Sequence, residues 1–364
     1  MLDIKQIRKE FPALRNQIYV NCAAAGPFYE ELLEWRQERE LDLFLKASDD
    51  FVAGRKVIGN TRLELSAFFN CKLHQVSLVP SFSYGMGMVV PGLQEGQNIL
   101  LIKEDYPSLL WPFEKANHQL HFIELATNLE ERIKTAIKEE GITVVAVSLV
   151  QWLNGFMLKP SFFVELKELY PEVLLLVDGT QYCGAYPLDF EASKIDVLLA
   201  SGYKWMLGGY GNGFILFSNE AEKWLKTTNF GFGSVEGDFD KKGEVSFNKF
   251  FEPGHLDSLA FGTLGFSTRW LNSLGKDNIA NQNKVLSSYA FEQFSTLGLL
   301  EAQVLNRSEH STIFSISGDE TLFKELLSKG VVCSMRGGRI RFSFHFFNTL
   351  EDITEIINLL KKVM

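Results

Sequence analysis

Two short apolar runs, each ending in one charged residue, constrain this chain more than anything else in it. Leu174, Leu175, Leu176 and Val177 run unbroken into Asp178. Val197, Leu198, Leu199 and Ala200 run into Ser201, Gly202, Tyr203 and Lys204. Apolar runs this short suit strands buried on both faces, as in a parallel sheet. Ligands of open α/β sheets sit beyond the carboxyl ends of the strands. The two runs therefore deliver a carboxylate and an amine to one rim, from positions 26 residues apart in the chain.

The rest of the chain repeats the strand–helix alternation. Strands are expected over 17–20, 76–79, 98–102, 143–150 and 214–217, and helices over about 29–47, 52–70, 129–140 and 161–170. This alternation is the mark of a doubly wound, mainly parallel α/β sheet. Beyond it come helices over 259–274 and 279–297, strands over 311–317, 331–335 and 339–344, and helices over 320–329 and 349–364. The expected division is a large cofactor-binding domain over 15–258 and a smaller C-terminal α/β domain over 259–364. Residues 1–14 are expected to pack on the smaller unit, most of them in one helix from 4 to 15. The glycine-rich, acidic stretch 231–243 is expected as a mobile or dimer-edge loop.

Composition narrows the functional classes. Nearly half of the 364 residues are apolar and 22% are charged, which excludes a disordered or fibrous chain. A net charge of −9 argues against nucleic acid or an anionic membrane as partner. No apolar run reaches the roughly 18 residues that span a bilayer. The first residues, MLDIKQIRKEFPAL, lack the apolar core of a signal peptide, so a cytoplasmic location is expected. Cys22, Cys71, Cys183 and Cys333 show no CxxC spacing, so neither a metal site nor a disulfide framework is expected.

An amine and a carboxylate on one rim are what pyridoxal phosphate requires. A lysine bonds its aldehyde, and a carboxylate keeps its pyridine nitrogen protonated. Lys204 and Asp178 are thus the catalytic candidates. Ser81, Phe82 and Ser83 open a helix, where backbone N–H groups and hydroxyls can meet an anion. Three arginines, Arg336, Arg339 and Arg341, crowd one short stretch, and a guanidinium forks onto a carboxylate as no lysine can. The glycines of GGYGNG (208–213) follow the lysine and precede a strand, so they are a tight turn rather than a dinucleotide fingerprint.

DGTQ, SGYKW and GGYGNGF together resemble the cofactor core of class V aminotransferases, which are fold-type I pyridoxal-phosphate enzymes. The resemblance covers nearly the whole chain. It implies a homodimer with active sites at the subunit interface. It implies that Ser81, Phe82 and Ser83 hold the cofactor phosphate, with Ser201 and Tyr203 on the same side. Tyr106 matches the ring that stacks on the pyridine, and Gln181 matches the residue that bonds the phenolic oxygen. His255 falls where a residue reaches the partner's phosphate, although a hydroxyl residue is commoner there. Arg341 falls at the substrate-carboxylate arginine, with Arg336 in reserve and Asn21 and Trp152 as further substrate contacts. The resemblance implies transamination of a small amino acid with a keto acid, or another reaction begun at the Cα–H bond. The alternatives are a cysteine desulfurase or selenocysteine lyase, or a non-catalytic binding protein on the same fold. Two departures count against a desulfurase. Tyr203 stands where many desulfurases carry histidine, and a tight turn, Met335 to Gly338, stands where they carry a loop with a nucleophilic cysteine.

Overall fold

The computed structural model describes residues 2–227 and 229–363. Its main sheet has seven strands. Their order across the sheet is Val76–Val79, Gly213–Phe217, Val197–Ser201, Leu174–Asp178, Val144–Ser148, Asn98–Ile102 and Gln119–Ile123. Only Gly213–Phe217 runs antiparallel to its neighbours. The two runs that end in Asp178 and Lys204 are adjacent, with Val177 in register with Leu198. Every residue of both strands is buried, as unbroken apolar runs in a parallel sheet require. The edge strand Gln119–Ile123 has no counterpart among the expected strands. Its exposed Gln119 and Phe122 break the apolar run, and an edge strand tolerates that.

A second, antiparallel sheet joins Ser334–Arg336, Arg339–Ser343 and Ile313–Ile316. Helices Lys276–Thr296 and Leu350–Val363 cover it, and Phe294, Phe314, Phe342 and Ile357 fill the core between. The expected strand over 331–335 is split. Val331–Val332 pairs in parallel with Ile18–Tyr19, and Ser334–Arg336 turns into the hairpin. The expected helix over 4–15 also breaks. It ends at Lys9, and Pro12–Leu14 forms a separate turn. The stretch 231–243 holds two short turns, Phe232–Val235 and Phe239–Gly243.

The helix Ser258–Leu274 lies against Phe51–Phe69 and contributes Phe261, Leu264 and Leu271 to the main core. The chain changes cores within Lys276–Thr296, where Ile279 belongs to the main core and Leu286 and Ala290 to the small one. Among the described residues no helix is long and apolar enough to cross a membrane, and no group of three or more His, Cys, Asp or Glu could hold a metal.

Candidate active site

The carboxyl ends of the central strands meet the small sheet and the N-terminal turn around Lys204. Lys204 is 6% exposed and Asp178 5%. Burial pushes the Lys204 amine down to about 8, and Arg341 and Arg336 add to the shift while Asp178 and Cys22 oppose it. Burial likewise pushes the Asp178 carboxyl up to about 6, against the Thr180 hydrogen bonds and the charge of Lys204. The Thr180 N–H donates to Asp178 Oδ1 at 2.8 Å, and the Ser201 N–H donates to Thr180 Oγ1 at 3.2 Å. The two strand ends are thereby tied together.

The backbone around the lysine is clasped from two sides. The Gly26 N–H donates to the Tyr203 carbonyl at 2.8 Å, and a Cβ at Gly26 would lie 2.2 Å from the Lys204 carbonyl oxygen. At Gly184, where φ is +94°, a Cβ would lie 2.4 Å from the Trp205 carbonyl oxygen. Only glycine permits either approach. His345, buried among Trp205, Phe346 and Phe347, bonds the Trp205 carbonyl through Nε2 at 3.1 Å. Burial pushes its imidazole down to about 3, so the ring is neutral and tethers this turn to the small sheet. The GGYGNG stretch folds back as expected, with the Gly208 N–H donating to the Gly202 carbonyl at 2.8 Å.

The phosphate-side candidates gather beside it. The Phe82 N–H donates to Ser201 Oγ at 2.8 Å. Ser81 caps the helix Phe82–Gly92 by accepting from the Tyr84 N–H. Ser83 is exposed and donates to Ser108 Oγ at 2.7 Å. The Tyr106 ring centre lies 5.5 Å from Lys204 Nζ, and the Tyr203 ring 5.6 Å. Tyr210, 71% exposed, stacks on Tyr203 with centroids 4.7 Å apart. Gln181 uses both ends of its amide within the protein, donating to the Ala23 carbonyl at 3.1 Å and accepting from Trp205 Nε1 at 2.7 Å. One N–H of its amide remains for a ligand.

On the substrate side, Arg341 is 2% exposed. One Nη donates to the Trp152 carbonyl at 2.7 Å, and its Nε has no partner. Burial pushes the guanidinium down to about 10, and the charge of Arg336 adds to the shift. Asn21 Oδ1 is also buried without a hydrogen bond. Trp152 sets its ring edge-on to Tyr106 at 5.7 Å. His255 is not brought to this group. It stacks on Phe232 at 5.2 Å in a separate cavity.

Asp105 is a site residue the sequence reading missed. It is 2% exposed and accepts from Ser148 Oγ at 2.7 Å, the Ser148 N–H at 3.1 Å and the Tyr106 N–H at 2.7 Å. It fixes the backbone of Tyr106, and its charge bears on Asp178. Its only sequence signal is an acid directly before Tyr106 at a strand end.

A buried carboxylate beside a buried amine, and a buried guanidinium without an acid, form an incomplete polar set. A phosphorylated pyridine aldehyde and an amino acid supply the missing partners: an aldehyde for Lys204, a protonated ring nitrogen for Asp178 and a carboxylate for Arg341. The aminotransferase class-V family profile matches residues 54–356. The chain belongs to the class-V aminotransferases. It is therefore a pyridoxal-phosphate-dependent enzyme of fold type I, a transferase or a lyase.

A protein named probable cysteine desulfurase from Methanothermobacter thermautotrophicus is 21% identical over 99% of this chain and 98% of its own. An uncharacterized aminotransferase of Bacillus subtilis is 22% identical over 97% of this chain and 96% of its own. Among solved structures, a complex of a cystine C–S lyase with its product cysteine persulfide superimposes with a TM-score of 0.86 at 19% identity, covering 96% of this chain and 98% of that one. The apo cysteine desulfurase of Thermococcus onnurineus also gives 0.86 at 19% identity, covering 100% of this chain and 98% of that one. These names favour carbon–sulfur chemistry over the transamination that the sequence reading put first.

Proposed function

We propose that this enzyme cleaves the Cβ–S bond of a small sulfur-containing amino acid by α,β-elimination, without an enzyme thiol to accept the sulfur. The reading rests on one combination. A buried lysine lies beside a buried carboxylate and an unpaired arginine, and no ionisable thiol accompanies them. Cys22 is the thiol nearest the lysine, with Sγ 3.8 Å from the Lys204 carbonyl oxygen, but it is fully buried and burial pushes its pKa well above the ordinary value. Cys333 lies in the small core, and Gly337 and Gly338, at φ of +56° and +71°, close its hairpin too tightly for a thiol-bearing loop.

When bound, pyridoxal phosphate withdraws electrons from Cα. Arg341 holds the substrate carboxylate, with Asn21 and Trp152 beside it. Lys204 takes the proton from Cα. The electron pair of that C–H bond forms the Cα=Cβ bond, and the pair of the C–S bond leaves with sulfur. Water then yields pyruvate and ammonia, with no net oxidation. Asp178 keeps its negative charge opposite the ring nitrogen. Ser81, Phe82, Ser83, Ser201 and Tyr203 take the phosphate end, Tyr106 the ring face and Gln181 the phenolic oxygen.

The proposal extends to assembly. Phe51, Phe232 and Leu43, which are 48%, 42% and 36% exposed, line the cavity of about 550 Å³ that holds His255. A second copy covering this face would carry His255 towards its partner's phosphate, and light scattering should give roughly twice the 41.3 kDa chain mass. Within one subunit we take the change of core in Lys276–Thr296 as the division between the large and small domains.

The test begins with the visible spectrum of protein purified with pyridoxal phosphate, before and after borohydride. A reducible adduct on Lys204 is expected, and its absence removes the enzyme reading. Cysteine and cystine should then each release pyruvate and ammonia in equal amounts. Alanine as the carbon product would mean sulfur transfer to a thiol, and amino-group exchange with 2-oxoglutarate would mean transamination; either overturns elimination.

A further inference from the structure

A second cavity, of about 370 Å³, lies at the seam between the two proposed domains and shares no lining residue with the Lys204 group. The helix Lys276–Thr296 supplies Ala280, Lys284, Ser288 and Phe291 to it, at the three- and four-residue spacing that keeps side chains on one face. Met157 and Tyr186 come from the large domain. The Tyr186 hydroxyl accepts from the Thr312 N–H at 3.0 Å, which holds its ring in place. The stretch 307–310, leading into the small sheet, completes the lining.

Of the charged residues on this lining, two have partners and one has none. Arg307 pairs with Glu130 at 2.6 Å and donates to the Thr127 and Met157 carbonyls, each at 3.0 Å. Glu309 lies 3.2 Å from Lys159. Lys284 has neither an ion pair nor a hydrogen bond among the described residues. Burial pushes the His310 imidazole down to about 4, so that ring adds no charge at neutral pH. One unpaired cation therefore stands beside a thioether, two aromatic rings and the Ser288 and Ser308 hydroxyls. A single positive charge suits a monoanion, and a flat apolar body would take Met157, Tyr186 and Phe291 out of water. Sites for small molecules of that kind commonly measure about 300–1,000 Å³ and commonly lie between domains.

The wall of the cavity is also the back of the active-site rim. His310 Nε2 lies 2.9 Å from the Asn154 carbonyl, and the Ser311 N–H donates to the Gly155 carbonyl at 3.3 Å. A Cβ at Gly155 would lie 2.1 Å from the Ile313 carbonyl oxygen, so the small sheet rests directly on this loop. Two residues earlier, the Trp152 carbonyl takes the Arg341 guanidinium. A molecule touching both Met157 and the helix Lys276–Thr296 keeps all of its contacts only while the two units are docked, and so it favours the docked arrangement. We propose that this cavity is an effector site for a small aromatic monocarboxylate, which on binding braces the small sheet against the rim loop that positions Arg341. Its ligand is independent of which bond the enzyme cleaves.

The test titrates phenylacetate, 2-phenylethanol and acetate into holoenzyme by calorimetry. Phenylacetate should bind with a Kd of about 1 mM or tighter, as suits so small a ligand. The alcohol lacks the charge and acetate lacks the ring, so each should bind at least about 10-fold more weakly. Lys284→Gln should raise the Kd for phenylacetate about 10-fold, and Ser288→Trp, an exposed position on the cavity wall, should abolish binding by filling the space. Arg341→Lys should leave the Kd unchanged. Loss of binding in Arg341→Lys with retention in the other two variants would place the acid in the Lys204 site and overturn the proposal, as would no phenylacetate binding below about 10 mM. Bound phenylacetate should also slow amide hydrogen exchange over 151–155 and 310–313 about 10-fold. Unchanged exchange at saturation overturns the bracing.

Discussion

Two regions of this molecule bury charge, and they do so in opposite ways. In the cavity beneath the Phe51–Phe69 helix the half-buried and buried cations are paired with acids, and the exposed Arg55 donates to the Glu236 carbonyl. Arg62 grips Glu252 through Nε and Nη2, and Lys249 bonds Glu252 at 3.1 Å and Glu236 at 2.6 Å. Arg39 grips Asp50 and also donates to Ser258. Around Lys204 the pairing is withheld. Asp178 accepts its hydrogen bonds from Thr180 rather than from a cation, and Arg341 has an idle Nε. The paired cluster is finished and holds helix to loop. The unpaired one is complete only when another molecule is present. An opening of about 550 Å³ belongs to the finished cluster, so incomplete pairing locates the chemistry better than an open cavity does.

If this contrast is real, equal surgery on the two regions has unequal results. Lys204→Ala should lower turnover by about 10³-fold or more, through loss of the group that moves the Cα proton. It should also abolish the borohydride adduct and leave the denaturant midpoint nearly unchanged. Glu252→Gln should do the reverse. It takes from Arg62 its bidentate partner and leaves Lys249 with Glu236 alone, each cation being 13% exposed, at a cost of about 3 kcal/mol read from the denaturant midpoint. A stable Glu252→Gln protein, or a Lys204→Ala protein that unfolds, would break the comparison.

What the sequence made legible follows the same line. Asp178 and Lys204 were visible because each ends an unbroken apolar run, and burial on both faces fixes where such a run must lie. Arg341 was visible through its crowding with two other arginines. The sheet register then separates the three by partner, assigning Glu301 to Arg339 alone. Asp105 was not visible, because its role depends on Ser148 from a neighbouring strand, 43 positions away. The Gln119–Ile123 strand was hidden by its edge position, where no residue is fully buried and Gln119 and Phe122 are exposed. The clasp of Gly26 and Gly184 on the lysine turn was hidden as well. A glycine declares a tight approach only once the opposing backbone is in place.

Arg341→Lys sharpens the comparison at smaller scale. A lysine keeps the charge but cannot fork, so KM for the amino acid should rise about 30-fold, near 2 kcal/mol, with a smaller change in kcat. An unchanged KM would mean that Arg341 answers to the protein rather than to a ligand.

The smallest expected effect is a pH dependence. The uncombined amine of Lys204, not its ammonium, attacks an aldehyde, and burial has pushed its pKa down to about 8. Apoprotein mixed with pyridoxal phosphate should therefore acquire the cofactor faster as pH rises, and should level off above about 8. Between pH 7 and pH 9 the free-amine fraction for such a group grows about 10-fold. The neighbours set the midpoint. Asp178 favours the ammonium, so Asp178→Asn should move the rise to lower pH. Arg336 disfavours the ammonium, so Arg336→Gln should move it to higher pH. Stopped-flow absorbance on the apoprotein reads all three profiles. Coincident profiles for the three proteins would mean that the charges of Asp178 and Arg336 do not reach Lys204, and would remove the electrostatic basis of the distinction between the two regions.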